Sequence, residues 1–199
     1  MREQSEWDDQ SLWAGLVSGQ QHAFTAFVRH YTDALYVYGM RLCADEELVK
    51  DCVQEVFLFI WRRRQYLQQP VSLKFYLMKA VRNKIARELP KWQMKEQLHE
   101  SEYQFPDFFM ELDEQSEMSS VVRMHLKCYI EQLSPRQREI LYLRFYEGFR
   151  QQKIAEMMNL NNQSVYNLLR GALAALKKKV DYEALIAQWC FILVTLFFD

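Results

Sequence analysis

The clearest structural signal in the chain is the stretch of residues 134–176, which reads SPRQREILYLRFYEGFRQQKIAEMMNLNNQSVYNLLRGALAAL. Ser134 is followed directly by Pro135 and, three residues on, by Gln137. This is the pattern of a capping box with proline at the first helical position. We therefore predict that a helix starts here, runs to about Glu147 and stops at the glycine that follows.

A helix-turn-helix is predicted in the rest of this stretch. A short helix from about Gln151 to Met158 leads through the polar turn NLNN (159–162) into a longer helix. The apolar residues of the longer helix recur at helical spacing and predict one buried stripe. They are Val165, Leu168, Leu169, Ala172, Leu173 and Leu176. In a helix-turn-helix the second helix enters the major groove of DNA, although an ordinary three-helix core would have the same stripe.

The face of the longer helix away from this stripe carries side chains suited to DNA. Glutamine and asparagine can pair with adenine, and arginine with guanine. Lysines at the end of the helix would meet phosphates, which position a protein without specifying a sequence. The candidates are Gln163, Ser164, Asn167, Arg170, Lys177, Lys178 and Lys179.

The N-terminal half is also predicted to be helical. One pattern runs from about Ser11 to Leu42 with an interruption at Gly19, and the next begins with Asp45 as N-cap. This second helix has an apolar stripe of Val49, Val53, Val56, Phe57 and Ile60. Its opposite face carries Asp51, Gln54 and Glu55, which either are simply solvated or form a docking surface for a basic partner.

A basic helix is predicted to follow, capped by Ser72 and ended by Pro90. Its lysines and arginines are interleaved with Phe75 and Tyr76, a combination that suits single-stranded DNA because charge and base stacking both contribute. In the alternative interpretation Tyr76 lies in the core and the basic side chains are only solvated.

Composition excludes several classes of protein. The 199 residues include only five glycines and four prolines and no GxGxxG or Walker sequence, which argues against all-β folds and phosphate-binding α/β folds. The net charge of −1 hides a segregation of charge. Residues 74–95 carry seven basic groups and one acidic group, residues 96–120 eight acidic groups and no basic group, and residues 121–180 eleven basic and four acidic groups. Two modules that contact polyanions, joined by an acidic linker, are therefore predicted.

No pattern points to catalysis or to metal binding. The four histidines are scattered, and no nucleophile–base pair or paired-carboxylate motif can be identified. The cysteines form no CxxC pair, so we interpret Cys43, Cys52, Cys128 and Cys190 as buried reduced thiols of a cytoplasmic protein. The polar N-terminal residues predict no signal peptide.

Three motifs in this order resemble one family, the extracytoplasmic-function sigma factors of bacterial RNA polymerase. LVKDCVQEVFLFIW (48–61) resembles region 2.2, and SLKFYLMKAVRNKIAR (72–87) resembles regions 2.3 and 2.4. The stretch from LSPRQREILYLRFYEGF to QSVYNLLRGALAAL (133–176) resembles region 4, and its QSVYNL run is most similar to members from Bacteroidetes.

The resemblance implies an all-α fold of two small helical domains, a region 2 bundle and a region 4 helix-turn-helix, with an acidic linker between them. It implies a sigma factor that binds core RNA polymerase and directs it to promoters, in the cytoplasm, with no catalysis and no cofactor of its own. Promoter DNA, as duplex and as melted single strand, and an anti-sigma factor are the other implied partners. The implied contacts to core polymerase are Asp51, Gln54 and Glu55. Those to the minus-ten element are Arg63, Arg64, Lys74, Tyr76, Lys79, Arg82, Asn83 and Arg87. Those to the minus-thirty-five element are Gln163, Ser164, Tyr166, Asn167, Arg170, Lys177 and Lys178.

The predicted domains are region 2 at 1–90, the linker at 91–118, region 4 at 119–180 and an apolar tail at 181–199. The tail includes ALIAQWCFILVTLFF (184–198), which as a helix of about 22 Å is shorter than a bilayer core. We therefore expect it to pack on this chain or on a partner, without stable membrane insertion. One hypothesis is autoinhibition, in which the tail docks between the two modules until polymerase or another factor displaces it. The alternatives are a stand-alone helix-turn-helix regulator of duplex DNA and a decoy that binds polymerase or a regulator.

Overall fold

A computed structural model describes residues 8–89, 126 and 128–179 of this chain. Within these residues every regular element is a helix, as predicted, and no strand occurs. The chain divides into two compact units, Met1–Tyr103 and Gln104–Asp199. The predicted linker, the apolar tail and the predicted domain borders lie outside the described residues, so they stay predictions.

The described part of the first unit, residues 8–89, is a bundle of four helices. The third helix is continued by a single 3₁₀ turn before an irregular segment leads into the fourth. The elements are α1 (Asp9–Val17), α2 (Gln21–Leu42), α3 (Glu46–Arg63), the 3₁₀ turn (Arg64–Tyr66) and α4 (Leu73–Glu88).

Local sequence fixes the ends of these helices. The Asp45 carboxylate accepts the Leu48 N–H at 3.0 Å, and the Ser72 hydroxyl accepts the Phe75 N–H at 3.3 Å, which confirms both predicted caps. The predicted interruption of the first pattern is also confirmed, since Gly19 has a φ of +79° between α1 and α2. A residue with a side chain would be strained in that conformation.

The core of the first unit lies between α2, α3 and α4. The stripe predicted for α3 is buried, together with Phe27 and Leu35 of α2 and Leu77 and Val81 of α4. The backbone of α2 lies close to α3 at Gly39, where an added Cβ would lie 2.6 Å from Cγ1 of Val49. A side chain at this position would therefore force the two helices or the Val49 side chain to shift.

Side-chain contacts with α2 and with α4 help to fasten helix α1 to the bundle. The Tyr31 hydroxyl of α2 donates a hydrogen bond to the Asp9 carboxylate, and burial together with this carboxylate raises the pKa of Tyr31. Trp13 packs edge-on against Tyr76 of α4, with ring centroids 6.5 Å apart. These contacts tie the N-terminal helix to α2 and to the basic helix.

The second unit contains the predicted capping box. The Ser134 N–H donates to the Gln137 side chain at 3.0 Å, and the Gln137 N–H donates back to the Ser134 hydroxyl at 3.4 Å. After residues 128–131, which are helical, the elements are α5 (Pro135–Leu141), a π-helical turn (Tyr142–Tyr146), α6 (Gln151–Met158) and α7 (Asn162–Lys179).

One detail of this unit differs from the prediction of a single helix up to Glu147. The α-helix changes to the π-helical turn at Tyr142. The Glu147 N–H bonds to the Tyr142 carbonyl, and the Tyr142 hydroxyl donates to the Glu147 carboxylate at 2.7 Å. This pair closes a wider turn than an α-helix would, and Gly148 at a φ of +66° then ends it.

The α7 stripe is buried most deeply at Val165, Leu169 and Ala172, while Leu168, Leu173 and Leu176 are half-buried. Arg138 of α5 is buried too, and its guanidinium donates to the Glu131 carbonyl at 3.2 Å. It therefore ties α5 to the helical residues before it.

The interpretation of the cysteines as buried thiols needs one correction. Cys43 and Cys52 are buried and free, but Cys128 is exposed. It lies two residues before the buried Ile130, and two residues along a helix point to nearly opposite sides. Cys190 lies outside the described residues.

Candidate functional site

The outer face of α3 carries the three residues predicted to dock on a partner. Asp51, Gln54 and Glu55 are all exposed, and the buried stripe of α3 lies on the other side of the helix. Asp45 caps this helix, and its helical turns continue without a break to Arg63. Gln54 and Glu55 follow Asp51 by three and four residues, so the three side chains lie on one face. The structure therefore brings the three predicted side chains together into one polar surface.

Two apolar side chains on this helix were not predicted as functional. Leu58 is 45% exposed and Phe59 is 51% exposed, although both are large and hydrophobic. Leu58 follows Gln54 by four residues and Glu55 by three, so it extends the same face by one turn. That spacing was the available signal. We call Asp51, Gln54, Glu55 and Leu58 the α3 ridge.

An ion pair that the sequence did not predict links Glu55 of the α3 ridge to Lys84 of α4. The Lys84 ammonium lies 2.5 Å from a Glu55 carboxylate oxygen and 2.8 Å from a Glu88 carboxylate oxygen. The two carboxylates raise the pKa of Lys84. A cationic partner that approaches Glu55 would thus meet a carboxylate that is already oriented by an internal cation.

The end of α3 carries two of the residues predicted to bind the minus-ten element. Arg63 is exposed, with its guanidinium 5.5 Å from the centre of the Phe59 ring. Arg64 is half-buried, lies 4.1 Å from the centre of the Trp61 ring and donates to the Trp61 carbonyl at 2.6 Å. The two arginines therefore differ, since Arg63 is open to a ligand and Arg64 is packed on its own helix.

The remaining predicted contacts of the first unit lie on α4. Lys74, Tyr76, Lys79, Arg82 and Asn83 are half-buried, and Arg87 is exposed. The ring of Tyr76 rests on Trp13, and burial raises the pKa of its hydroxyl. Tyr76 is thus partly packed against the core and partly exposed to solvent. It lies between the interpretation as a core residue and the interpretation as a DNA-stacking residue.

The segment between α3 and α4 exposes apolar side chains that the sequence did not single out. Tyr66, at the end of the 3₁₀ turn, is 84% exposed, and Val71 is fully exposed. An exposed tyrosine next to arginines is the kind of platform on which an unpaired base can stack. The signal in the sequence was an aromatic residue within a polar run that ends in proline.

In the second unit the turn of the helix-turn-helix is built by asparagines. Asn159 adopts a left-handed conformation with a φ of +53°, and the Asn161 side chain accepts the Ser164 N–H at 2.7 Å. The Gln151 amide of α6 donates to the Asn162 carbonyl at 2.7 Å. These contacts place the first turn of α7 directly beside the first turn of α6.

The exposed face of α7 presents the predicted readers of duplex DNA. The Gln163 amide donates to the Asn167 side chain at 3.1 Å, so the two amides are held next to each other at i and i+4. Gln163, Asn167, Arg170, Lys177 and Lys178 are exposed, and Ser164 and Tyr166 are half-buried. The side chain of Lys179 lies outside the described residues.

Nothing in the described part of the chain suggests a metal centre or a membrane span. It holds no cluster of three or more His, Cys, Asp or Glu side chains that could bind a metal ion. None of its helices combines the length and the apolar character needed to cross a bilayer.

Comparison with protein families gives two matches, one for each unit. The family described as Sigma-70 region 2 matches residues 27–93, which include the α3 ridge and α4. The family described as Sigma-70, region 4 matches residues 123–176, which include α5, α6 and most of α7. No curated protein is a significant match to the chain.

Solved structures with the same fold include two protein complexes. The first is described as CnrH in complex with the cytosolic domain of CnrY, with 22% identity, a TM-score of 0.55, and coverage of 88% of this chain and 99% of that one. The second is the sigma factor RpoE in complex with the anti-sigma factor NepR from Bartonella quintana. It has 16% identity, a TM-score of 0.52, and coverage of 80% of this chain and 98% of that one.

Proposed function

We propose that this chain is an extracytoplasmic-function sigma factor in which each unit has its own task. The chain belongs to the sigma-70 family and carries region 2 and region 4 in that order, so it directs RNA polymerase to promoters. The order of the two regions is the observation that carries the proposal. The fold shared with CnrH and RpoE over most of their lengths supports it. An origin in Bacteroidetes stays a prediction from the QSVYNL run.

The α3 ridge is the proposed docking surface for core polymerase. Asp51, Gln54 and Glu55 supply negative charge and hydrogen-bond acceptors for a basic partner surface. Leu58 adds an exposed apolar centre, which is typical of the anchoring residues of protein interfaces. Lys84 supports this surface by holding the Glu55 carboxylate in place.

The end of α3, the segment after it and α4 form the proposed surface for the melted minus-ten element. Cations along the strand and an aromatic side chain for stacking are the two requirements for binding single-stranded DNA. Tyr66 adds the most exposed aromatic ring to the predicted set. The proposed residues are Arg63, Arg64, Lys74, Tyr76, Lys79, Arg82, Asn83 and Arg87.

Helix α7 is the proposed reader of the minus-thirty-five element as duplex DNA. The paired amides of Gln163 and Asn167 lie near its N-terminus, the part that reaches base edges in a helix-turn-helix. Lys177 and Lys178 lie near its far end and suit phosphates. The proposed residues are Gln163, Ser164, Tyr166, Asn167, Arg170, Lys177 and Lys178.

Regulation by an anti-sigma factor is proposed as well. The similar structures are of a sigma factor bound to the anti-sigma factor NepR and of CnrH bound to the cytosolic domain of CnrY. We further propose that this chain acts in the cytoplasm and leaves all chemistry to polymerase, without a cofactor of its own.

Multi-round transcription tests the proposed function. Purified core polymerase from the source bacterium is supplied with fragmented genomic DNA, with and without the chain. The expected result is a set of new discrete starts that share upstream elements. Binding of duplex DNA without binding of polymerase would favour a stand-alone regulator, and binding of polymerase without any new start would favour a decoy. Repeating the reaction without residues 184–199 tests the autoinhibition hypothesis for the tail.

A further inference from the structure

Helix α1 and the turn after it contact both ends of the irregular segment between the 3₁₀ turn and α4. This segment comprises residues 67–72. Its residues Gln68, Gln69 and Val71 are exposed and form no hydrogen bond with another described residue. The position of the segment is therefore set by the elements at its two ends. Helix α1 precedes the residues 27–93 that match region 2, and none of its residues is among the predicted DNA contacts.

At the first end, the turn after α1 supports Arg64 of the 3₁₀ turn. Two guanidinium nitrogens of Arg64 lie 3.6 Å from the place that a Cβ on Gly19 would take. The same guanidinium stacks on Trp61 and donates to the Trp61 carbonyl at 2.6 Å. The exposed Tyr66 comes two residues after Arg64, so this anchor helps to set where its ring lies.

At the second end, Trp13 of α1 supports the first turn of α4. Trp13 is buried, and its ring meets the Tyr76 ring at an angle of 82°, with centroids 6.5 Å apart. This edge-on geometry is one of the two arrangements that aromatic pairs favour. Tyr76 is half-buried, so a part of its surface stays open to solvent. The orientation of that open part depends on the contact with Trp13.

Helix α1 is itself held firmly enough to act as a support. A Cβ on Gly15 of α1 would lie 2.5 Å from the Cβ of Ala23, so α1 crosses α2 at close range. The hydrogen bond from Tyr31 of α2 to Asp9 ties the first turn of α1 to the same helix. Trp13 is therefore part of a fixed framework and can restrain the ring that it contacts.

We propose that Trp13 is a positioning residue for the melted strand, because it holds the Tyr76 ring in the orientation in which a base can stack on it. The proposal rests on the proposed function of the first unit in binding the melted minus-ten element. Stacking on an aromatic side chain contributes strongly to binding of single-stranded DNA. A ring that is already oriented loses less conformational freedom when the base arrives. Trp13 is buried, so it acts through Tyr76 and contacts no DNA itself.

Loss of this support should slow promoter opening without weakening the first encounter with duplex DNA. A stacked base contributes a factor of about five or more to the affinity for a single strand. We expect Trp13→Leu to lower the rate constant of opening by about fivefold or more, since capture of the melted strand drives this step. The constant for initial binding of duplex should stay within about twofold, because the proposed duplex reader lies in the other unit.

The experiment uses the full chain assembled with core polymerase, on the strongest promoter that multi-round transcription identifies. The dependence of abortive product formation on holoenzyme concentration gives the initial binding constant and the opening rate constant separately. A double-mutant cycle then combines Trp13→Leu with Tyr76→Ala. If Trp13 acts through Tyr76, Trp13→Leu should have no further effect on opening in the Tyr76→Ala chain. A merely structural role of Trp13 would slow opening by the same factor in both backgrounds.

Three further variants control for stability. Trp13→Phe keeps an aromatic edge against Tyr76 and should restore the opening rate constant to within about twofold of the wild type. Leu12→Ala removes another fully buried side chain of α1 and should lower stability without the same effect on opening. Trp13→Met keeps more of the buried volume and closes the cycle if Trp13→Leu does not fold. Circular dichroism shows which variants are folded.

A cycle in which the effect of Trp13→Leu disappears in the Tyr76→Ala chain, together with rescue by Trp13→Phe, supports the proposal. An unchanged opening rate constant, an additive cycle or equal slowing by Leu12→Ala would overturn it. New starts from the wild type with an additive cycle would remove only the role of Trp13. A wild type that gives no new starts would remove the proposed function and this role together.

Discussion

Arg64 illustrates how a charged residue at a candidate DNA surface is also part of the fold. Its guanidinium stacks on Trp61, donates to the carbonyl of the same residue and lies 3.6 Å from the place that a Cβ on Gly19 would take. Phe24 covers Trp61, with ring centroids 4.7 Å apart. Arg64 thus joins the end of α3 to the turn before α2.

We therefore expect Arg64→Met to lower the free energy of unfolding by about 1–3 kcal/mol, since it removes a stacked cation and a hydrogen bond to the backbone. Arg63→Met is the matched control at the neighbouring exposed position. It should change the free energy of unfolding by no more than about 0.5 kcal/mol. Urea unfolding followed by circular dichroism measures both. Equal effects of the two variants would show that the stacking of Arg64 is unimportant for stability.

The cysteines give a second prediction at this scale. Burial raises the pKa of Cys52 to about 11, and it also raises the pKa of Cys43. At pH 8 a thiol with a pKa near 11 has a thiolate fraction about a hundredfold smaller than one with a pKa near 9. In a Cys190→Ser chain we expect Ellman's reagent to label Cys128 quickly and the two buried thiols only after denaturation. Rapid labelling of all three thiols in the folded chain would contradict this.

At the scale of the helices, the glycines test which close approaches matter. Gly39 of α2 faces Val49, and a Cβ would lie 2.6 Å from that side chain. A Cβ on Gly171 of α7 would lie 3.4 Å from the side-chain nitrogen of Gln137, which is an ordinary van der Waals distance. Both glycines lie inside a helix, where alanine would otherwise be the better residue.

Gly39→Ala should consequently lower the free energy of unfolding by about 1–3 kcal/mol, the usual effect of overpacking. Gly171→Ala, the same substitution in the other unit, should be neutral or raise stability by up to about 1 kcal/mol. Urea unfolding curves for the two variants and the wild type give the comparison. A stabilising Gly39→Ala would show that α2 and α3 move apart easily at this point.

At the scale of the whole molecule, polymerase binding and duplex DNA binding are proposed for different units. The α3 ridge lies in the first unit and is acidic, whereas α6 and α7 lie in the second unit and carry exposed cations. A substitution on one of these surfaces should therefore leave the activity of the other unit intact.

Asp51→Lys puts a cation on the α3 ridge and should weaken binding to core polymerase at least tenfold, because it places like charges opposite each other. Binding of a 30-base-pair DNA duplex of mixed sequence by the second unit should not decrease. Asp33→Lys, at an exposed position of α2, has the same change in charge and is the control for polymerase binding. Native gel shifts with purified core polymerase provide the measurement. Equal binding by Asp51→Lys and the wild type would remove the α3 ridge from the proposed interface.

The sequence by itself determined what depends on neighbours three or four residues apart. The caps at Asp45, Ser72 and Ser134, the break at Gly19 and the buried stripes of α3 and α7 all follow from local hydrogen bonding and helical periodicity. The order of the three motifs predicted the two sigma-70 regions that the family comparison found.

The tertiary structure alone decided which candidate side chains are open and which are already engaged. Tyr76 meets Trp13 of another helix, and Glu55 meets Lys84 of another helix. The exposure of Leu58 depends likewise on which side of α3 the other helices cover. Periodicity gives the face of a helix on which a residue lies, but only packing gives the neighbours of that face, because contacts between helices join residues far apart in the chain.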